Sequence, residues 1–450
     1  MKQDKALELL KAGRNIFLTG SAGTGKTYVL NKFIQHLKDA KIEVAITAST
    51  GIAATHIKGM TIHSWTGMGI NQTLGGKEID NIKRNKRLKD QLNKAKVLII
   101  DEVSMLHQDQ LNTIHEILTY VRDDSKAFGG MQIVLCGDFF QLPPIDRHNR
   151  PSKDKFAFMS TAWQFAEFNI CYLTEQYRQS NNELTGILDE IRSASISQKS
   201  IDLLKSVSNT TFESGIEPTK LYTHNIDVDK INNTHLADLE GKFRFFKAKT
   251  SGDKKVLATL EKQILTPKEF QLKVGAKVMF IKNHPENKYI NGTLGEVVRY
   301  SKLGFPVVKT LNNSEITANA EEWTIDNEMG TIIASFKQIP LRLAWAITVH
   351  KSQGMTLDAA ELDLTKTFEK GQGYVALSRL KDIKRLRLLG FNQTALEVDS
   401  LALRADKRFQ ELSIELDEDT NSKELDTERK DYIKSVGGRS LKKKKEVKSK

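Results

Sequence analysis

Short apolar runs recur along the first 180 residues. Asn-Ile-Phe-Leu-Thr at 15–19, Glu43–Thr47, Val97–Ile100 and Ile133–Cys136 each read as a short buried strand. Between them lie stretches with helical spacing, one of which should start near Lys26. This alternation predicts an α/β fold, a parallel sheet joined by crossover helices. A second set of strands is expected at Lys220–Thr223, Ala346–Val349, Ala360–Leu364 and Arg385–Gly390. The texture from about 266 to 340 is different. Ala276–Ile281, the turn signal Asn291-Gly292 and Gly295–Tyr300 predict a small all-β insertion. Residues 67–94 are polar and basic and interrupt the first unit. No internal repeat accompanies these patterns.

Length and composition narrow the class. The chain has 450 residues, 39% hydrophobic and 28% charged, which suits several globular domains. Two cysteines, Cys136 and Cys171, exclude a disulfide scaffold and a cysteine-based zinc finger. No apolar run reaches the roughly 18–20 residues that span a bilayer. The first residues carry no apolar signal core, so the expectation is a cytoplasmic protein without membrane contact. Lys plus Arg is 68 against 56 for Asp plus Glu, a net charge of +12 that favours a polyanionic partner. Near the end, 411–431 holds nine acids and three bases, and 432–450 holds eight bases and one acid. That end reads as a mobile charged tail.

The chemistry is concentrated in three motifs. Gly20-Ser21-Ala22-Gly23-Thr24-Gly25-Lys26-Thr27 follows a predicted strand and opens a predicted helix, the setting of a phosphate-binding loop. Its glycines let backbone N–H groups face phosphates. Lys26 would neutralise the β- and γ-phosphates of ATP, and the Thr27 hydroxyl would hold Mg²⁺. Asp101 and Glu102 end the apolar run Val97–Ile100. Asp101 suits Mg²⁺, and Glu102 suits the general base that polarises an attacking water. Kinases and small GTPases usually lack that second acid. Gln141, in Gly137-Asp138-Phe139-Phe140-Gln141-Leu142-Pro143-Pro144, is a candidate sensor of the γ-phosphate. Arg178 and Arg379 are candidate fingers for the transferring phosphoryl group.

Together these blocks resemble superfamily 1 helicases, best the 5′→3′ branch holding RecD and the petite-integration-frequency (PIF) helicases. The resemblance runs from about 3 to 400. It includes Gln3, Gly20–Thr27, Thr47–Ala54, Thr61-Ile62-His63-Ser64, Asp101–Met105, Phe128-Gly129-Gly130, Gly137–Pro144 and Glu175–Gln179. It continues with Trp345–Thr356 and Tyr374–Arg379. Asp-Glu-Val-Ser-Met and Gly-Asp-Phe-Phe-Gln-Leu-Pro-Pro are similar to the PIF wording rather than to generic RecD.

The resemblance implies roles by position. Gln3 would read the adenine edge. Lys26, Thr27, Asp101, Glu102 and Gln141 would form the ATP site with Arg178 and Arg379. Thr50, Gly51, His63, Asn225, His350, Lys351 and Ser352 would lie along single-stranded DNA, where small, hydroxyl, stacking and cationic side chains suit a backbone-tracking groove. It implies two RecA-like motor domains with a small barrel insertion and a short wedge. The first motor would span 1–175, with the wedge at about 66–80. The second would span 176–265 and 341–410, the barrel 266–340 and the tail 411–450. Lys273, Lys277, Lys282, Lys288 and Lys302 would give the barrel a nucleic-acid face. The implied activity is ATP-dependent 5′→3′ unwinding of forked or G-quadruplex DNA, by a monomer, in repair, recombination and telomere maintenance. Gln3 so near the start suggests a minimal prokaryotic or viral core. An RNA-directed motor, or a DNA-stimulated ATPase that does not unwind processively, would carry the same motifs.

Overall fold

The computed structural model describes all residues except 58, 70–72, 145, 147–149, 178–181, 213–217, 265, 283, 285–287, 290–292, 311–312, 327–331, 358 and 440–450. Arg178, the Asn291-Gly292 turn signal, the middle of the expected wedge and the last lysines therefore lie outside the described residues. The chain divides into two units. The first comprises 1–200, 369–382 and 396–450, and the second 201–368 and 383–395.

The first unit is built on six strands: β1 (Ile16–Gly20), β2 (Val44–Ala48), β3 (Met60–Thr61), β4 (Val97–Asp101), β5 (Gln132–Cys136) and β6 (Asn169–Leu173). They form one parallel sheet in the order β3-β2-β4-β5-β1-β6. β1, β4 and β5 are buried along their whole length, as near-continuous apolar runs require when both faces are covered. Helix α1 (Gln3–Lys11) precedes β1, and α2 (Lys26–Asp39) follows the phosphate loop. Val29, Leu30, Phe33, Ile34 and Leu37 put one face of α2 in the core, the i, i+3/i+4 spacing of an amphipathic helix.

Several regions differ from the expectation. Residues 67–94 are not simply polar. Helices Gly76–Arg84 and Lys86–Lys94 bury Ile79, Ile82 and Leu92 in the sheet's core. Residues 411–435, expected in a mobile tail, belong to helices Ser400–Asp419 and Ser422–Ser435. Ala402 and Phe409 pack into one core and Leu425 and Ile433 into another, all in the first unit. The dense charge hid this apolar spacing.

The second unit holds a four-stranded parallel sheet in the order Ala346–Thr348, Thr219–Tyr222, Ala360–Leu364, Leu386–Phe391. Its antiparallel part has a five-stranded sheet that includes Lys277–Phe280, Leu294–Tyr300 and Pro306–Thr310. The antiparallel part also recruits Arg244–Lys247, which pairs with Glu269–Leu272, and Lys249–Gly252, which pairs with Ile332–Gln338. The β-texture thus begins some twenty residues before the expected boundary at 266. No helix among the described residues is long and apolar enough to cross a membrane.

Candidate active site

In a parallel sheet every strand points its carboxyl end to one edge, and ligands gather there. The first unit places its chemistry accordingly. The phosphate loop follows β1, Asp101 ends β4, Asp138 comes two residues after β5 and Glu175 two after β6. The start of α2 meets the loop, so unpaired backbone N–H groups and the positive end of the helix dipole face it.

The loop is held by its own side chains. The Lys26 ammonium donates to the Gly20 carbonyl at 2.8 Å and the Ser21 carbonyl at 3.0 Å. Burial lowers its pKa, and Asp138 is the first of the charges that oppose this. Thr24 Oγ1 donates to Ser21 O at 2.9 Å, and Tyr177 N donates to Gly23 O at 3.0 Å. The Gln3 side-chain amide donates to Thr24 O at 3.0 Å. Gly25 has φ +81°, and a Cβ there would stand 2.1 Å from Gln3 Nε2. That position must be glycine while Gln3 holds its place. Ala22 N–H donates to the Tyr374 hydroxyl at 3.2 Å, and Thr27 is exposed at the first turn of α2.

Asp101 is buried and accepts from Glu102 N–H at 2.9 Å. Burial and the neighbouring Glu102 push its carboxyl up to about 7. Glu102 has φ +51°, a left-handed conformation uncommon for a glutamate. Its carbonyl accepts from Ser49 Oγ at 2.6 Å, which ties the end of β2 to the end of β4. Gln141 is buried, and its Oε1 has no hydrogen-bond partner among the described residues. Arg379 is also buried, with Nε on Val375 O at 2.9 Å and Nη2 on Ser378 Oγ at 2.8 Å.

The oxygen donors Thr27 and Asp101 suit a small hard cation such as Mg²⁺. A carboxylate that burial and a second acid disfavour is one that a cation would relieve. The described residues contain no cluster of three or more His, Cys, Asp or Glu able to hold a metal, so a cation here would need further oxygens, as nucleotide phosphates supply.

The residues expected along DNA divide between the units. In the first, Thr50 Oγ1 accepts from Ala53 N–H at 3.2 Å, and Gly51 opens helix Gly51–His56. His63 Nε2 lies 2.8 Å from Gln110 Nε2, and burial lowers its pKa. In the second, Asn225 opens helix Asn225–Asp238, and its side chain lies outside the described residues. His350 stacks 6.2 Å from Phe368, and burial pushes Lys351 to about 8 with help from Arg342. Ser352 is fully buried, and its hydroxyl donates to Val349 O at 2.8 Å, so it shapes this turn from inside. Lys273, expected on a barrel face, is buried and donates to the carbonyls of Ala237 and Leu239. Lys277 pairs with Glu296 at 2.9 Å.

The sequence pattern of the family described as PIF1-like helicase matches residues 2–214. An ATP-dependent DNA helicase Pif1 of Psychrobacter sp. (strain PRwf-1) is 45% identical, over 97% of this chain and 75% of its own length. The chain belongs to the PIF1-like helicase family. The crystal structure of Pif1 helicase from Candida albicans superposes with a TM-score of 0.85 at 34% identity, covering 90% of this chain and 98% of that one. Pif1 helicase from Bacteroides in complex with ADP-AlF3 and ssDNA gives 0.72 at 29% identity, over 91% and 96%.

Sequence reasoning missed part of this PIF1-like helicase's site. Arg192, in helix Asn182–Arg192, donates to Asp138 at 2.7 Å, to the Tyr374 hydroxyl at 3.0 Å and to the Tyr172 hydroxyl at 2.7 Å. Tyr374 in turn donates to Asp138 at 3.0 Å. Burial penalises the Asp138 charge, but Arg192 and Lys26 outweigh it and hold the carboxyl below its usual range. Asp138 gave a signal, since a buried acid after a strand needs a cation. Arg192 gave none, because its partner is 54 residues away. The helicase also carries an exposed Phe368 between His350 and His224 that no motif marked.

Proposed function

We propose that this chain is an ATP-dependent DNA helicase that moves 5′→3′ on a single strand and separates the duplex ahead of it. The observation that carries the reading is the shared sheet edge, where the phosphate loop, Asp101-Glu102 and Asp138–Gln141 follow three strands of one parallel sheet. The family and its DNA-bound relatives supply the substrate class.

In this reading the two units are RecA-like motors that grip the strand in turn. The antiparallel sheets form the barrel insertion, and the segment around 66–80 is the wedge. Lys26 exchanges the Gly20 and Ser21 carbonyls for β- and γ-phosphate oxygens when ATP binds. Gln3 reads the base, beside the loop it already touches. Glu102 takes a proton from the attacking water. Gln141, with a buried oxygen to satisfy, orients that water and senses the γ-phosphate. Arg379 leaves Val375 O and Ser378 Oγ to meet the developing charge, a contribution of about 10³–10⁵ in rate for such an arginine, and Arg178 is the second candidate. Thr27 and Asp101 would hold Mg²⁺, which supplies charge neutralisation at the phosphates. Thr50, Gly51, His63, Asn225, His350 and Lys351 contact the strand. The protein acts as a monomer in a bacterial cytoplasm, on forked DNA in repair and recombination.

Strand displacement with ATP and Mg²⁺ tests this, using matched duplexes with a 5′ or a 3′ single-stranded tail and Glu102→Gln as the control. Unwinding of the 5′-tailed duplex alone, lost in the variant, is the expected result. Unwinding from the 3′ tail alone would reverse the polarity assignment. DNA-stimulated hydrolysis with no unwinding would leave a translocase.

A further inference from the structure

The acid-rich stretch near the C-terminus has no place in the chemistry above, yet the structure gives it definite partners. Helix Ser422–Ser435 lies against α1 and the turn after it. Arg14, between α1 and β1, makes a two-pronged pair with Glu428, Nε to Oε2 at 2.8 Å and Nη2 to Oε1 at 2.7 Å. Arg429 donates to Glu8 at 3.1 Å, and Lys5 donates to the Thr420 carbonyl at 2.7 Å. Gly13 has φ +84°, and a Cβ there would fall 2.3 Å from the Tyr432 ring. Leu425 and Ile433 share a buried cluster with Leu7, Leu9 and Leu10 of α1. α1 is thus fixed at its middle and end by one helix, while its first residue, Gln3, bonds the phosphate loop at Thr24.

We infer that helix Ser422–Ser435 is a positioning element for nucleotide binding, a brace that sets α1 and through it the Gln3 contact with the phosphate loop. A nine-residue helix moves as a rod, so a shift where Arg429 grips Glu8, or of the following turn that Glu428 holds through Arg14, becomes a shift of Gln3. The helix holds α1 at Glu8 and the turn at Gly13 and Arg14, well along the chain from Gln3, and among the described residues none of its hydrogen bonds reaches the phosphate loop. Its loss therefore acts on affinity for the nucleotide and leaves the hydrolytic groups in place.

This rests on the chain binding ATP at that loop, and the test separates the two claims. Dissociation constants for a fluorescent ADP analogue are measured on the full chain, with KM and kcat for ATP at saturating single-stranded DNA. The variants are Glu428→Arg, Arg14→Glu and the double exchange. Each single exchange should raise the nucleotide Kd and KM by about two- to fivefold, the worth of one partly exposed paired contact, with kcat nearly unchanged. The double exchange, with the pair restored in reverse, should recover most of the affinity and also controls for misfolding. Wild-type binding with unaltered Kd in the single variants would overturn the brace alone. An equal fall in kcat, or a double exchange as weak as its parents, would also overturn it. A wild-type chain that binds no nucleotide would overturn both claims.

Discussion

Arg192 and Asp138 face each other at 2.7 Å in a buried pair, and the Tyr374 hydroxyl bonds both of them and Ala22 N–H in the phosphate loop. A loop amide is thereby joined to a charge pair and to the helix Gln372–Leu377, two residues from Arg379. Arg192 also lies over the Phe140 ring at 4.3 Å, so its charge is enclosed on several sides.

Removing Arg192 strands the buried Asp138 carboxylate, whereas without Asp138 the Arg192 guanidinium keeps Asp406 at 3.2 Å. Arg192→Ala should therefore cost about 3–5 kcal/mol of unfolding free energy, read as a lower urea midpoint, and Asp138→Ala less. Tyr374→Phe keeps the ion pair and should cost about 1 kcal/mol, one hydrogen-bonding hydroxyl. A loss below about 1 kcal/mol in Arg192→Ala would show that the pair does not hold this part of the fold.

Gly25→Ala should weaken nucleotide binding about tenfold, since its methyl must push Gln3 from Thr24 and its positive φ adds backbone strain of about 1–2 kcal/mol. Titration with a fluorescent nucleotide reads this directly, and Gly76→Ala, where nothing lies within 4 Å of an added Cβ, is the control.

Lys351 should make single-strand binding sensitive to alkali. Burial and Arg342 bring its ammonium to about 8, so its charge is present at pH 7 and lost as pH rises through that value. Anisotropy with a thymidine oligonucleotide should show affinity falling between pH 7 and 9, with a salt slope smaller by about 1. Lys351→Arg should flatten the pH response. An unchanged pH response in that variant would place Lys351 away from the strand.

His36 should lower stability in mild acid. Burial first, then Lys11 and Arg429, push its imidazole down to about 4. In the unfolded chain it titrates near its ordinary value of 6.5. Between those values the unfolded state binds more protons, so stability falls as pH drops from about 7 towards 4. Partial exposure screens the effect, and His36→Gln should remove about 1 kcal/mol of the acid dependence in urea melts at pH 7 and 5. Identical acid dependence in wild type and variant would assign it to other groups.

Local signals were legible wherever the chemistry was local. The phosphate loop and strands β1, β4 and β5 are legible because each strand is a continuous run whose apolar pattern matches its burial, whereas the sequence pattern predicts neither β3 nor β6. The antiparallel strand Arg244–Lys247 was missed because its residues are largely exposed and pair with Glu269–Leu272, far along the chain. The C-terminal helices resemble a tail in sequence because charge outnumbers the few apolar residues that anchor them. Arg192 could not be found because its meaning is set entirely by distant partners. Ser352 matched a motif, yet its hydroxyl is satisfied internally, which a linear pattern cannot reveal.

The partition of the chain has a practical consequence. It leaves the first unit after residue 200, returns for 369–382, leaves again and comes back from 396 to the end. Three separate stretches therefore complete one core. A protease cut near 200 would leave the N-terminal piece still tied to Tyr374, which bridges Asp138 and Arg192, and to Phe409, which packs with Phe17 and Phe139. During synthesis, too, the first 200 residues must wait for the last fifty before their core can close. Limited proteolysis should accordingly yield nicked chains that stay associated rather than two independent halves.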